Sequence, residues 1–194
     1  MHRLFGLAVD SELPLPLPPL DPASIQRNDV VIHVRRSFVP LGGDKFWQAP
    51  VETPFACYRE DQAVILDWPD ARFRVTPERI DVDATDEAMA AVLLMQGVWS
   101  VLLSSRGQES LHACTFARDQ LGVAIIGGSG SGKSTIGLAL HEAGWLLVAD
   151  DLLTLNPARH AVPGPPFIRL TSDKWADRGG DVDATGKLRF VVPT

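Results

Sequence analysis

The sequence predicts an α/β chain in which a small β-rich amino-terminal region, residues 1–82, precedes an α/β domain spanning residues 83–194. Three observations lead there. Short runs of β-branched and aromatic residues fill the first part, an apolar helical segment follows Thr85, and the pattern then becomes strand, glycine loop, helix, strand. With 194 residues, 45% hydrophobic and 22% charged, the chain has the composition of a folded protein rather than a disordered one.

Residues 11–26 carry Pro14, Pro16, Pro18, Pro19 and Pro22, which excludes helix and favours an extended surface connector. Strands are expected at Val30 to Val34, Val64 to Trp68, and Ala71 to Val75. The last faces Ile80 to Val82 across Thr76-Pro77-Glu78-Arg79. Phe73 and Val75 alternate with Arg72 and Arg74, the period of a sheet with one wet face, so this part reads as an antiparallel layer.

A helix follows with Asp83 or Thr85 as N-cap and Asp86 and Glu87 in its first turn, running to about Ser104. Its stretch Ala88 to Leu103 is apolar, but Gln96, Gly97 and Ser100 interrupt it and favour a buried helix over an inserted one. Beyond it, Leu111 to Ala117 and Leu121 to Ile126 form an expected hairpin around Asp119-Gln120, which places His112 opposite Gly127. Ser134 to Ala143 is an expected helix ended by Gly144, and Trp145 to Ala149 has the apolar run of a central strand.

Charge and cysteine content narrow the setting. Eighteen basic against twenty-four acidic side chains leave no basic face for a nucleic-acid backbone. Cys57 and Cys114 are far apart with no paired motif, and the apolar stretch after Arg3 meets Asp10 and Glu12 before a signal-peptide core could form. A reduced, cytoplasmic protein without membrane or nucleic-acid partners is the expectation, with the oligomeric state left open.

The chemistry gathers in three places. Gly127-Gly128-Ser129-Gly130-Ser131-Gly132-Lys133-Ser134, continued by Thr135, matches G-x-x-x-x-G-K-[ST] between a strand and a helix. Such a loop turns backbone N–H groups toward phosphate oxygens, while the lysine reaches the outer phosphates and the serine hydroxyl faces Mg²⁺. A flexible Gly/Ser linker would need neither Lys133-Ser134 nor the flanking apolar strands. Asp150 and Asp151 end the apolar strand: one carboxylate suits Mg²⁺ and the other the proton of an attacking hydroxyl, against the alternative of a helix cap. His112 reads either as a structural strand residue or as a neighbour of the loop. His2, His33, His141 and His160 lack metal-ligand spacing and read as surface groups.

Leu111-His112-Ala113, the loop Gly127 to Ser134, and Val148-Ala149-Asp150-Asp151, in this order and spacing, resemble the carboxy-terminal kinase domain of bacterial HPr serine kinase/phosphorylase and its HPr-kinase-like relatives. The likeness covers roughly Ser110 to Leu155. Arg3-Leu4-Phe5-Gly6-Leu7 and Ser11-Glu12-Leu13-Pro14 are similar to the leader domain of HPr-kinase-related proteins, some of which phosphorylate peptide precursors such as lasso peptides. The resemblance implies a phosphoenolpyruvate-carboxykinase-like P-loop core with a mixed sheet, ATP and Mg²⁺ as cofactors, and a protein or peptide substrate with an acceptor serine. It implies that Lys133 and Ser134 bind phosphates and Mg²⁺, that Asp150 is the general base, that Asp151 supports the metal and that His112 assists Asp150. The family's downstream acidic motif and basic residue have no counterpart before Thr194, so a fragment or a shortened member is expected. A regulatory nucleotide-binding module and a small-molecule phosphotransferase are the competing functions.

Overall fold

The structure, a computed structural model, describes residues 1–27, 29–50, 54–128, 130–170, 181–182 and 188–191. It is a mixed α/β fold with a β-rich amino-terminal part. The chain divides into two units, Met1–Arg3 with Leu7–Gly107, and Leu4–Gly6 with Gln108–Thr194. The sequence placed the division at residues 82 and 83. It falls after the long helix because that helix packs on the last strand of the first unit.

The sheet of the first unit has eight strands: β1 (His2–Leu4), β2 (Leu7–Ser11), β3 (Val31–Arg36), β4 (Asp44–Gln48), β5 (Ala56–Glu60), β6 (Ala63–Asp67), β7 (Ala71–Val75) and β8 (Arg79–Ala84). Their order is β1-β2-β3-β8-β7-β6-β5-β4. The expected antiparallel layer is corrected here: β3 runs parallel to both β2 and β8, so the sheet is mixed. From β8 to β4 each strand pairs antiparallel with the next; the expected strands account for β6, β7 and β8 here, whereas β4 and β5 are not among them. In β7, Ala71, Phe73 and Val75 are buried while Arg72 and Arg74 lie on the wet face, paired with Asp67 at 2.8 Å and Glu60 at 3.0 Å.

The helix α1 (Glu87–Ser105) is capped by Asp86, whose carboxylate accepts from the N–H groups of Ala88 and Met89. Neither Asp83 nor Thr85 serves, because β8 continues to Ala84 and Asp83 pairs with Arg72 across the ladder. By length and composition α1 could cross a membrane, but Ala90, Leu94, Val98, Trp99 and Leu102 have no exposed surface. A π-turn over Leu94–Val98 interrupts it at Gln96-Gly97.

The second unit continues with β9 (Ser110–Leu111), β10 (Ala113–Arg118), β11 (Leu121–Ile126), the helix α2 (Lys133–Glu142), β12 (Leu146–Ala149), β13 (Leu153–Leu155), β14 (Ala161–Val162), β15 (Phe167–Leu170), β16 (Asp181–Val182) and β17 (Leu188–Val191). They form three-stranded sheets in the orders β11-β10-β12, β14-β13-β9 and β15-β17-β16. The hairpin register is the expected one: Ala113 faces Ile126, and Asp119 and Gln120 both have positive φ, as a two-residue turn of this hand requires.

Two expectations change. The run Leu111 to Ala117 is broken at His112, because β9 pairs with β13 while β10 pairs with β11 and β12. The apolar strand before Asp150 is not central. β12 is an edge of its sheet with Leu146 exposed, and β10 separates it from β11. An apolar run records burial of side chains, not the number of strand partners.

Helix α2 lies on β10 over a core of Cys114, Phe116, Leu138, Leu147 and Ile168. Gly137 permits the approach: a Cβ there would stand 2.7 Å from Cys114 Sγ and 2.9 Å from Phe116 Cε2. Gly137→Ala is therefore expected to destabilise the protein by about 1–3 kcal/mol, the cost of overpacking, although alanine gains roughly 1 kcal/mol in helix propensity. Urea denaturation followed by far-UV circular dichroism checks the sign.

Candidate phosphate-binding site

The glycine loop leaves the end of β11 and turns into α2. Its geometry depends on Gly132, the N-cap of α2, which sits at φ 87° and contributes no side-chain cap. A residue with a Cβ is strained there, and the N–H groups of the first turn, on Lys133, Ser134 and Thr135, have no acceptor within the helix. The loop folds on itself through the N–H of Ser131, which donates to Gly128 O at 3.3 Å. Ser129 lies outside the described residues.

Lys133 is 7% exposed, and its Nζ donates to Gly127 O at 3.0 Å and Gly128 O at 3.1 Å. Its charge is thus held inside the loop's own ring of carbonyls, at the positive end of the α2 dipole. One residue on, Ser134 Oγ donates to Asp150 Oδ1 at 3.4 Å. This contact joins the loop to the strand end, although β11 and β12 are not neighbours: both run antiparallel to β10, so they end at the same edge of the sheet, and α2 closes the gap.

The aspartate pair lies where the chain changes sheets. β9 faces β13 with Leu111 opposite Leu153, and β10 faces β12 with Thr115 opposite Ala149. Asp150 to Leu152 lie between these two pairings, with Cys114 next to Thr115 on the facing strand, and the β10–β12 ladder shifts register between Thr115 and Phe116. Asp150 is 7% exposed and Asp151 takes φ 67°, a left-handed conformation that aspartate tolerates better than most residues but that still stores strain. The next element after Asp151 is the strand β13, which begins at Leu153, and no helix starts there for the pair to cap.

His112 donates from Nδ1 to the carbonyl of Asp151 at 2.9 Å. A carbonyl only accepts, so the neutral ring carries its proton on Nδ1 and presents Nε2 as a base on an exposed side chain. The sequence placed His112 beside the loop; the structure attaches its Nδ1 to the Asp151 backbone. His33 and His160 are exposed, whereas His2 and His141 are partly buried.

Cys114 is a group that the motif reading missed. It is fully buried beneath Asp150. Burial pushes its thiol up, and the nearby Asp150 carboxylate pushes it further, with Asp151 adding to this and Lys133 opposing it. The thiol therefore stays protonated. Register could have found it, since Cys114 is two residues beyond His112 on the strand that pairs with the Asp150 strand.

Among the described residues no group of three or more His, Cys, Asp and Glu could hold a metal by itself. Ser134 Oγ and one carboxylate of the Asp150–Asp151 pair could instead offer a few hard oxygen ligands, the sparse donor set that Mg²⁺ uses when phosphates and waters complete its shell. Compared with protein-family models, with curated proteins and with solved structures, the chain has no match. Its likeness to HPr kinases therefore stands on the motifs and their spacing.

The strained Asp151 gives a test of the local geometry. Asp151→Gly, which relieves a positive φ, is expected to leave stability unchanged or raise it by up to about 1 kcal/mol, and Asp151→Ala to lower it by about 1 kcal/mol. Paired thermal denaturation of the two variants without nucleotide measures the difference.

Proposed function

We propose that the chain is an HPr-kinase-like, ATP-dependent serine kinase with a P-loop core of the phosphoenolpyruvate-carboxykinase type, acting on a protein or peptide. The observation that carries this reading is the contact between Ser134 and Asp150, which gathers the glycine loop, Lys133, the Ser134 hydroxyl and a buried carboxylate at one sheet edge. Phosphoryl transfer needs positioning and charge neutralisation more than covalent chemistry by the protein, and these are the groups that supply both.

In this reading the first-turn N–H groups of α2 and the loop backbone hold the phosphates of ATP. Lys133 releases its loop carbonyls to bind the outer phosphates. Ser134 and Asp151 are the ligands offered to Mg²⁺, which neutralises charge on the transferred group when bound. Asp150 accepts the proton of the acceptor serine hydroxyl as that oxygen attacks the γ-phosphorus and the bond to ADP breaks. His112, with Nε2 free, takes part in moving that proton onward. A cytoplasmic setting fits this chemistry, with its need for ATP.

ATP with Mg²⁺ is expected to raise the melting temperature of the wild-type chain, since a ligand bound by the folded state alone adds RT ln(1 + [L]/Kd) of stability. Lys133→Ala abolishes most of that gain; an equal shift in the mutant overturns the loop assignment. Differential scanning fluorimetry reads both.

The aspartates separate by assay. Asp150→Asn is expected to keep the nucleotide-induced shift and lose transfer of labelled phosphate to a serine peptide, whereas Asp151→Asn weakens the Mg²⁺ dependence of binding. His112→Ala lowers turnover by roughly 10² or more, the scale of a proton-transfer participant, with little change in melting temperature. Wild-type phosphorylation by the Asp150→Asn variant would falsify its role as base.

A further inference from the structure

Asp150 is a carboxylate with almost no access to water, and a buried charge of this kind needs donors fixed around it. Ser134 is one, from the first turn of α2, at 3.4 Å. Cys114 on β10 and Asp150 after β12 adjoin the paired residues Thr115 and Ala149, and both meet one helix, at Gly137 and Ser134. Cys114 has no exposed surface, and the backbone of α2 closes over its sulfur at Gly137, where a Cβ would stand only 2.7 Å away. The sulfur is thereby confined between helix and sheet.

We propose that Cys114 is a positioning residue for Asp150, its S–H donating to the carboxylate from the strand side while Ser134 holds it from the helix side. A thiol with no exposed surface, closed over by the backbone of α2, suits a donor and not a nucleophile that must reach a substrate. This rests on the kinase reading for its consequence: Ser134 has a second duty there, toward Mg²⁺, and Cys114 has none. The thiol is the donor that holds the base aimed at the acceptor when the serine hydroxyl is engaged elsewhere. Cys114 touches neither nucleotide nor acceptor in this scheme and acts through Asp150.

The test has two parts. In a Cys57→Ser background, the S–H infrared stretch that disappears in Cys114→Ala belongs to Cys114. It is expected below the frequency of an unbonded thiol and to return to that frequency in Asp150→Ala. A band that does not move between Asp150 and Asp150→Ala overturns the proposal whatever the protein's activity. In transfer assays Cys114→Ala should lower kcat roughly tenfold, the worth of one hydrogen bond to a charged group, with nucleotide Kd nearly unchanged. Cys114→Ser, which restores a donor, should recover most of the loss. Failure of serine to rescue assigns Cys114 to packing alone and overturns the proposal. If the wild type neither binds ATP nor transfers phosphate, the kinase reading falls, and the infrared band still decides whether Cys114 holds Asp150.

Discussion

The close approach of α2 to β10 is the constraint on which the second unit depends. At Gly137 the helix backbone rests on Cys114 and Phe116, and this contact fixes how far the first turn of α2 lies from the end of β12. A larger residue would lift the helix and carry Ser134 away from Asp150. The hydrogen bond that joins loop to strand end is thus a product of packing about one turn away along the helix. Dense interiors transmit such displacements instead of absorbing them.

A second constraint operates where the chain leaves one sheet for another. His112 interrupts one strand and Asp150 to Leu152 interrupt its partner. The His112 ring donates to the Asp151 carbonyl and ties the two interruptions together. The left-handed Asp151 then turns the chain so that consecutive carboxylates do not simply alternate across a strand. Irregular backbone at the end of a sheet, held by a side chain from the neighbouring strand, is a common way for folds to present polar groups together.

Much of this arrangement was legible because it is local. The hairpin around Asp119-Gln120 has a two-residue loop, and loop length fixes register, so the facing of β10 and β11 followed from counting. The loop and α2 followed from Gly132, Lys133 and Gly144. The rest depends on partners distant in sequence. β2 and β3 pair in parallel across the proline segment, and no turn signal announces that. The N-cap shifted to Asp86 because β8 has a partner as far as Ala84, which a helix-start pattern does not register. Cys114 is one apolar strand position among several until the pairing of β10 with β12 is known.

The proline segment holds more than connectivity. Leu13, Leu15 and Leu17 are buried, and proline follows each of them. A strap of this kind hides an apolar side chain at alternate positions, and every second residue lacks the backbone N–H that burial would otherwise oblige the fold to satisfy. It needs fewer ladder partners than a strand of equal length. Proline also narrows the chain's freedom before folding, so ordering the strap sacrifices less disorder than ordering an ordinary loop. Replacing its prolines by more flexible residues would leave the leucines unchanged and still loosen the segment, because part of its stability resides in the conformations the unfolded chain is denied.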